Sequence, residues 1–314
     1  MAVFHLPWQS AFPDSCRQGA LTIGNFDGVH LGHAALLGRL KEQAKIVGGP
    51  AVALTFEPHP VCLLQPERCP PALSTPADRA TLLQQFGADH VLMLGIDHDM
   101  LDLRAEEFFE RILRAQLAPR AMVEGANFAF GHNREGNVDT LARLCAGAGI
   151  NFVPAPHILV EGSPVSSSRV RTALVDGDVA SAARFLGRPY RIRGVVGSGQ
   201  KRGHSLGFPT ANLERIQTLT PGDGVYAVLV AYNGTTCPGA ANLGPNPTFG
   251  EQARKVEAHL IGFHGDLYGT ELALDFLDRL RDTRPFSGPV ELAAQLKYDI
   301  EQARRIAAQT KEKP

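Results

Sequence analysis

Two histidines three residues apart, His30 and His33, close the run Gly24-Asn25-Phe26-Asp27-Gly28-Val29-His30-Leu31-Gly32-His33. Paired imidazoles can donate hydrogen bonds to phosphate oxygens, and Gly28 and Gly32 let the backbone come close to the same anion. The run follows an apolar segment, residues 20–23, that reads as a strand. It precedes residues 34–47, where Leu36, Leu37, Leu40, Ala44 and Val47 recur at the helical period. A strand–loop–helix junction points backbone N–H groups and the positive end of the helix dipole at one place, which suits a phosphate. The plain alternative is a pair of loop and capping histidines with no ligand. The Asn25-Phe26-Asp27-Gly28 lead-in and the elements on either side favour a nucleotide site.

Other residues with chemistry to offer follow later strand-like segments. Ser166, Ser167 and Ser168 open a helix carrying Arg169 and Arg171. Hydroxyls, exposed helix N–H groups and guanidiniums would form an anion cradle there; solvated arginines behind a serine cap are the alternative. Asn127, Phe128, Phe130 and Arg134 follow the segment ending at Glu124. They offer an amide, two aromatic faces and a cation to a flat ring, unless the phenylalanines are core. Glu57-Pro58-His59-Pro60, also past a strand, reads as substrate positioning. Toward the C-terminus, Gly197, Gly199 and Gly203 surround Lys201 and Arg202, so backbone donors and positive charge meet in one loop without a Walker A pattern. Thr210 and Asn212, in Pro209-Thr210-Ala211-Asn212, add a hydroxyl and an amide oxygen, hard ligands suited to Mg²⁺. Glu257 alternates with Val256 and Ala258, which turns it away from the core.

These residues need elements to hold them, and 314 residues exceed what one core usually contains, which predicts two domains. A hydrophobic fraction of 44% with 20% charged residues suits a soluble globular protein. The net charge of −1 argues against a protein that grips nucleic acid through bulk positive charge. The cysteines, Cys16, Cys62, Cys69, Cys145 and Cys237, are odd in number and form no C-x-x-C pair. They predict neither a disulfide framework nor a zinc site, and suit a reducing cytoplasm. The first 15 residues, without Lys or Arg and interrupted by Pro7 and Pro13, make no signal peptide, and no apolar run is long enough for a membrane. A cytoplasmic protein with no nucleic-acid or membrane partner is expected, and a homo-oligomer stays open.

Up to residue 187 strand-like runs (51–56, 90–96, 121–124, 150–153) alternate with helical ones (76–86, 105–117, 138–146), followed by two short helices over 168–175 and 179–186. Thr75 before Pro76 is a good N-cap. Such alternation predicts a parallel sheet covered by helices, with ligands beyond the carboxyl ends of its strands. From residue 188 the rhythm becomes strand after strand (190–196, 224–231, 256–263, 271–277), a compact β-sandwich or barrel, with a packing helix over 289–308.

The motifs G-N-F-D-G-V-H-L-G-H (24–33), F-E-P-H-P (56–60), N-F-A-F-G (127–131) with R-E-G (134–136) and V-S-S-S-R-V-R (165–171) resemble the adenylyltransferase half of the bacterial bifunctional riboflavin kinase/FAD synthetase family. Ser168 replaces a usual threonine and keeps its hydroxyl. G-F-P-T-A-N (207–212), G-V-Y-A-V (224–228), N-L-G-P-N-P-T-F (242–249), V-E-A-H-L (256–260) and D-L-Y-G (266–269) look like the kinase half, with His204 where arginine is more usual. The resemblance implies an α/β Rossmann-like nucleotidyltransferase domain, residues 1–187, followed by a compact antiparallel β-barrel riboflavin kinase domain, residues 188–314, with a C-terminal helix.

It also implies phosphorylation of riboflavin to FMN by ATP, then adenylyl transfer from ATP to FMN to give FAD and pyrophosphate, with Mg²⁺ as cofactor. ATP, riboflavin and FMN are the small-molecule partners. By this resemblance His30 and His33 stabilise charge on the phosphates, with Gly24, Asn25, Asp27, Gly32 and Asn127 binding the nucleotide around them. Ser166, Ser167, Ser168 and Arg171 take the leaving phosphates. In the kinase half Gly199, Lys201, Gly203 and Gly207 cover the phosphates, Thr210 and Asn212 hold Mg²⁺ and ATP, and Glu257 accepts the riboflavin hydroxyl proton. Phe56, Pro58, His59, Phe128, Asn246 and Phe249 are the flavin-contact candidates. A cytidylyltransferase or pantetheine-phosphate adenylyltransferase would share the H-x-G-H half but has no need of G-F-P-T-A-N and V-E-A-H-L. An aminoacyl-tRNA synthetase would need a K-M-S-K-S segment, which is missing here. A flavin-binding protein without catalysis has no reason to keep His30, His33, Thr210, Asn212 and Glu257 together.

Overall fold

The computed structural model describes residues 1–197, 210–246 and 251–311. The chain forms two compact units, one of residues 1–71 and 75–165, the other of residues 72–74 and 166 onward. In the first unit lie β1 (Ala2–Pro7), β2 (Ala20–Ile23), α1 (Leu31–Val47), β3 (Ala51–Glu57), α2 (Pro60–Leu64), α3 (Pro76–Gln85) and β4 (His90–Gly95). They are followed by α4 (His98–Leu101), α5 (Ala105–Phe108), which runs on as a π-helical segment over Phe109–Leu117, and β5 (Ala121–Glu124). A small hairpin of β6 (Ala129–Phe130) and β7 (Gly136–Asn137) then leads to α6 (Val138–Gly147), β8 (Asn151–Pro154) and a second hairpin of β9 (Leu159–Val160) and β10 (Ser163–Pro164).

β1, β4, β3, β2, β5 and β8 line up in that order as one parallel sheet. Alternate side chains of each strand enter opposite cores. Leu21, Ile23, Val52, Leu54, Leu92 and Leu94 pack with Phe108, Phe109, Ile112 and Leu113 on one face. Ala20, Ala51, Ala53, Val91 and Met93 pack with Leu36, Leu37 and Leu40 of α1 and Leu83 of α3 on the other. Two covered faces explain why these strands read as unbroken apolar runs. The edge strand β1 was not anticipated: its residues alternate half-buried and exposed, and nothing in six residues shows what they pair with. Thr75 caps α3 as expected, its Oγ1 accepting from the Asp78 N–H at 3.1 Å. Helix α1 begins at Leu31 rather than 34, because His30 is its N-cap.

The chain winds outward from β2 through β3 and β4 on one side and through β5 and β8 on the other, so the switch point lies between β2 and β5. Their ladder covers only Ala20 with Ala121 and Leu21 with Met122. Past it, Glu124 takes over: its Oε1 accepts from the Ile23 N–H at 2.6 Å and from Thr22 Oγ1 at 3.3 Å.

The second unit opens with α7 (Ser167–Val175) and α8 (Val179–Leu186), followed by β11 (Tyr190–Gly197), β12 (Ala211–Glu214), β13 (Gly224–Tyr232), β14 (Thr235–Asn246), β15 (Glu251–Leu260) and β16 (Glu271–Arg281), and ends with α9 (Pro289–Lys311). Helix α8 packs on β11 and β16, so these two helices share a unit with the strands that follow them. The six strands close as an antiparallel barrel in the order β11-β12-β15-β14-β13-β16, which leaves no unpaired edge. Ile300, Ala303 and Ile306 of α9 cover Ala227, Ala240, Leu277 and Leu280 on its outside. Arg281 fixes that helix by gripping the buried Asp299 carboxylate through Nε at 3.0 Å and Nη2 at 2.9 Å. Val290, in the first turn of α9, is 85% exposed, so the helix packs through its later turns.

The cysteine spacing misled on one point. Cys62 and Cys69 form a disulfide, because α2 and the turn after it bring their Cα atoms to 4.4 Å. Cys16 and Cys145 are buried thiols, pushed up by burial to about 11 and about 12. Among the described residues no helix is long and apolar enough to cross a membrane.

Burial pushes the Glu124 carboxyl well above the usual carboxylate range, against the pull of the Ile23 and Thr22 hydrogen bonds. The folded chain therefore holds this proton more tightly than the unfolded chain, and Glu124 costs stability as pH rises above about 4.3. The neutral isostere in E124Q, which keeps Oε1 as an acceptor, is expected to raise the thermal midpoint at pH 8 by about 2–4 °C. The gain should shrink toward pH 5. A melting series across that range checks it, and a gain independent of pH would remove Glu124 as the titrating group.

Candidate functional site

Beyond β2 the backbone enters the left-handed region at Phe26 (φ 48°), Gly28 (φ 78°) and Val29 (φ 40°) before α1 begins. Non-glycine residues are rarely found there, and such conformations persist where the surroundings fix them. Phe26 and Val29 are both buried, and the Val29 N–H donates to Phe26 O at 3.1 Å, so the loop is anchored by its own side chains. The Gly24 N–H donates to Leu54 O at 3.0 Å and ties the loop to β3. Asp27 is buried in the same turn.

His30 caps α1, its Nδ1 accepting from the His33 N–H at 3.4 Å. The two imidazoles stack, with centroids 3.7 Å apart and planes 15° from parallel, and Phe26 meets His33 edge-on at 5.2 Å. Gly32 lies against this stack: a Cβ there would lie 3.1 Å from His30 Cε1, and the imidazole would have to shift to admit it. Burial, and secondarily the neighbouring His30, hold the His33 imidazole well below the usual histidine range. His33 is thus neutral at physiological pH. Its Nδ1 is buried with no hydrogen-bond partner among the described residues.

The loop after β3 lies against this one. Asn25 Nδ2 sits 2.9 Å from His59 Nε2, and His59 Nδ1 caps α2 by accepting from the Val61 N–H at 3.2 Å. The Glu57–Pro58 peptide is cis. Phe56, Pro58 and His59 are therefore held beside Asn25. The residue that ties the loop after β2 to the end of β3 is Arg79 of α3, which sequence reasoning passed over. Its Nη1 donates to Asn25 O at 3.2 Å, Thr55 Oγ1 at 3.2 Å and Phe56 O at 3.1 Å, and its Nη2 to Glu57 Oε2 at 2.7 Å. A lone arginine in an amphipathic helix reads as solvated; the available signal was its place on the stripe with Ala80 and Leu83.

Across the switch point, the loop after β5 exposes Asn127 and stacks Phe128 on Phe130, centroids 5.4 Å apart and planes 18° from parallel. Phe130 is buried in the core and Phe128 only half-buried, so Phe128 is the ring with a face to offer. The loop is braced at Ala105. Its N–H donates to Glu135 Oε1 at 2.9 Å, and a Cβ on Gly131 would lie 2.6 Å from Ala105 N. Glu135 of the R-E-G segment thus caps a helix.

In the second unit Ser166 is the N-cap of α7, its Oγ accepting from the Arg169 N–H at 3.3 Å, and Ser167 and Ser168 fill the first turn. The Arg169 guanidinium lies 4.3 Å from the Phe185 ring centroid, whereas Arg171 is half-exposed. On the barrel, Asn212 of β12 stands opposite Glu257 of β15, which stands opposite Asn242 of β14. The neighbouring rung is Ala211, Ala258 and Ala241, all buried in the barrel. Alternation therefore puts the two amides and the carboxylate together on the other face, where all three are half-buried. Asn242 was not singled out from sequence, because its partner lies fifteen positions along the chain and only the register shows it. Thr210 is exposed immediately before β12. Thr210, Asn212 and Glu257 supply hard oxygen donors of the kind Mg²⁺ takes. Asn246 ends β14, its backbone paired with Glu251. Gly199, Lys201, Gly203, Gly207 and Phe249, with Arg202 and His204, lie outside the described residues.

The FAD synthetase family model matches residues 13–169, and the riboflavin kinase family model matches residues 186–307. The bifunctional riboflavin kinase/FMN adenylyltransferase of Pseudomonas fluorescens is 40% identical over 288 residues, which is 91% of this chain and 92% of that protein. The protein of the same name from Escherichia coli K12 is 35% identical over 292 residues, 93% of each. A crystal structure described as a macrolide-efflux protein from Streptococcus pneumoniae aligns with a TM-score of 0.88 at 29% identity, covering 97% of this chain and 99% of that one. With both halves matched in order and over nine-tenths of its length, the chain belongs to the bifunctional riboflavin kinase/FMN adenylyltransferase family.

Proposed function

We propose that this chain makes FMN and FAD in succession: ATP phosphorylates the 5′-hydroxyl of riboflavin in the barrel half, and a second ATP transfers its adenylyl group to FMN in the sheet half. The observation that carries the reading is the presence in one chain of two separate sites of suitable chemistry. One is the stacked His30–His33 pair at the switch point, and the other is the Asn212–Glu257–Asn242 row on the barrel. We assign the two activities to residues 1–187 and 188–314, and place both in the cytoplasm, where ATP is available.

Phosphoryl transfer depends on positioning and charge neutralisation. Glu257, half-buried between two amides, is placed to take the hydroxyl proton of riboflavin, and Thr210 and Asn212 are the ligands proposed for Mg²⁺. The metal, when bound, offsets negative charge on the ATP phosphates. In the sheet half the FMN phosphate is itself the nucleophile, so the protein needs no strong base. Neutral His33, together with His30, donates to phosphate oxygens as charge builds on them. Gly24, Asn25, Asp27 and Gly32 shape the loop that receives the phosphates, with Asn127 orienting the substrates. Ser166, Ser167, Ser168 and Arg171 offer hydroxyls and a cation suited to the departing pyrophosphate. The half-buried Phe128, with Phe56, Pro58 and His59, is the proposed flavin contact of this half; Asn246 and Phe249 are proposed for the other.

Removing one donor to a developing oxyanion costs about 10²–10³ in rate. H33A is expected to lose FAD formation by that factor while FMN accumulates from riboflavin and ATP, resolved by chromatography of the flavins. Loss of both products together would contradict two separate sites. E257Q is expected to slow FMN formation about 10²–10⁴-fold, the usual contribution of a general base, with conversion of supplied FMN to FAD unchanged. Undiminished kinase turnover would remove Glu257 as the base.

A further inference from the structure

We propose that Arg79 is a positioning residue for adenylyl transfer, locking the phosphate loop after β2 to the end of β3 so that His30 and His33 face the reacting phosphates. The proposal rests on the reading of the His30–His33 loop as the adenylyl-transfer site. Arg79 is 7% exposed, so it stands behind the loop rather than in it. Its Nη1 serves three acceptors, Asn25 O in the loop after β2 and Thr55 Oγ1 and Phe56 O at the end of β3, and Nη2 pairs with Glu57, the last residue of that strand. Thr55 Oγ1 also donates to Asn25 O at 3.2 Å, so the Asn25 carbonyl receives donors from both α3 and β3.

That carbonyl immediately precedes Phe26, the first of the left-handed residues that turn the chain toward His30. Fixing Asn25 therefore fixes the start of the strained turn, and the Asn25 side chain carries the same constraint to His59. Without the guanidinium, Asn25 O and Phe56 O would each lose a donor at the carboxyl end of the sheet, and the two loops would be coupled mainly through Thr55 and the Asn25–His59 contact. A planar, permanently charged group with several donors can span these acceptors at once. Arg79 acts through the loops and touches no reacting atom.

The test is steady-state adenylyl transfer to supplied FMN by the full chain, with riboflavin phosphorylation measured on the same preparations. R79M is expected to lower the adenylyl-transfer kcat by up to about 10²-fold, the cost of a misplacement of order 1 Å, with the KM for ATP within about 3-fold of the parent. R79K, which keeps a cation and donors, is expected to restore most of that kcat, and phosphorylation should be unaffected in both. A parent-like kcat in folded R79M, or a fall confined to KM, overturns the proposal. Where R79M loses its circular dichroism spectrum, E57Q decides. Weakening this half-exposed ion pair is expected to lower kcat about 3-fold at unchanged melting temperature, and an unchanged kcat overturns the proposal. H33A run in parallel separates the two readings. Full FAD formation by H33A overturns both, whereas its loss beside a normal R79M overturns the role of Arg79 alone.

Discussion

Beyond Leu21 and Met122 the ladder between β2 and β5 ends, and the groups past that point find other partners. Ile23 finds the Glu124 carboxyl on one side, and Gly24 finds Leu54 O on the other. This parting of the two central strands, where the chain winds in opposite directions from β2, is a topological switch point, the place where open α/β sheets bind ligands. The loop of residues 24–30 leaves from one of these strands and the loop of residues 125–131 from the other. Each is then braced from behind, the first by Arg79 and the second by Ala105 and Glu135.

Burial decides how charge is distributed around that switch point. His33 is held neutral because a buried imidazolium beside His30 would be doubly disfavoured, by desolvation and by repulsion. It can therefore donate to a phosphate without carrying a charge of its own. The permanent cation nearby, Arg79, is turned toward carbonyls and Glu57 instead. The fixed charge of Arg79 thus braces the loop from behind, while His33 beside it is neutral.

The barrel reaches a comparable end by different means. Its chemistry-bearing row is made by register, not by a loop: closure of six strands sets Asn212, Glu257 and Asn242 side by side, and the alanine rung beside them keeps the interior narrow. Slipping one strand by a single residue would send Glu257 into the core, which the buried Val256 and Ala258 oppose. Outside the barrel, the Arg281–Asp299 pair and the apolar contacts of α9 cover strands that would otherwise face water.

What the sequence determined by itself was local. The strand–loop–helix junction at His30 and His33, the Thr75 cap, the apolar runs of the parallel sheet and the change of rhythm near residue 188 follow from periodicity, capping chemistry and turn residues within a few positions of one another. What it left undetermined was relational. Arg79 reads as a solvated helix residue until α3 is laid against the ends of β2 and β3, and Asn242 is one polar residue among many until β14 pairs with β15. The same holds for Glu135, whose partner is thirty residues away, and for the Cys62–Cys69 bond, which depended on how sharply the chain turns after α2. Periodicity and caps act over a turn of helix or a pair of strand residues, so they are written along the chain. Buried polar contacts instead depend on which distant backbone groups have lost water and need a partner, and only tertiary packing decides that.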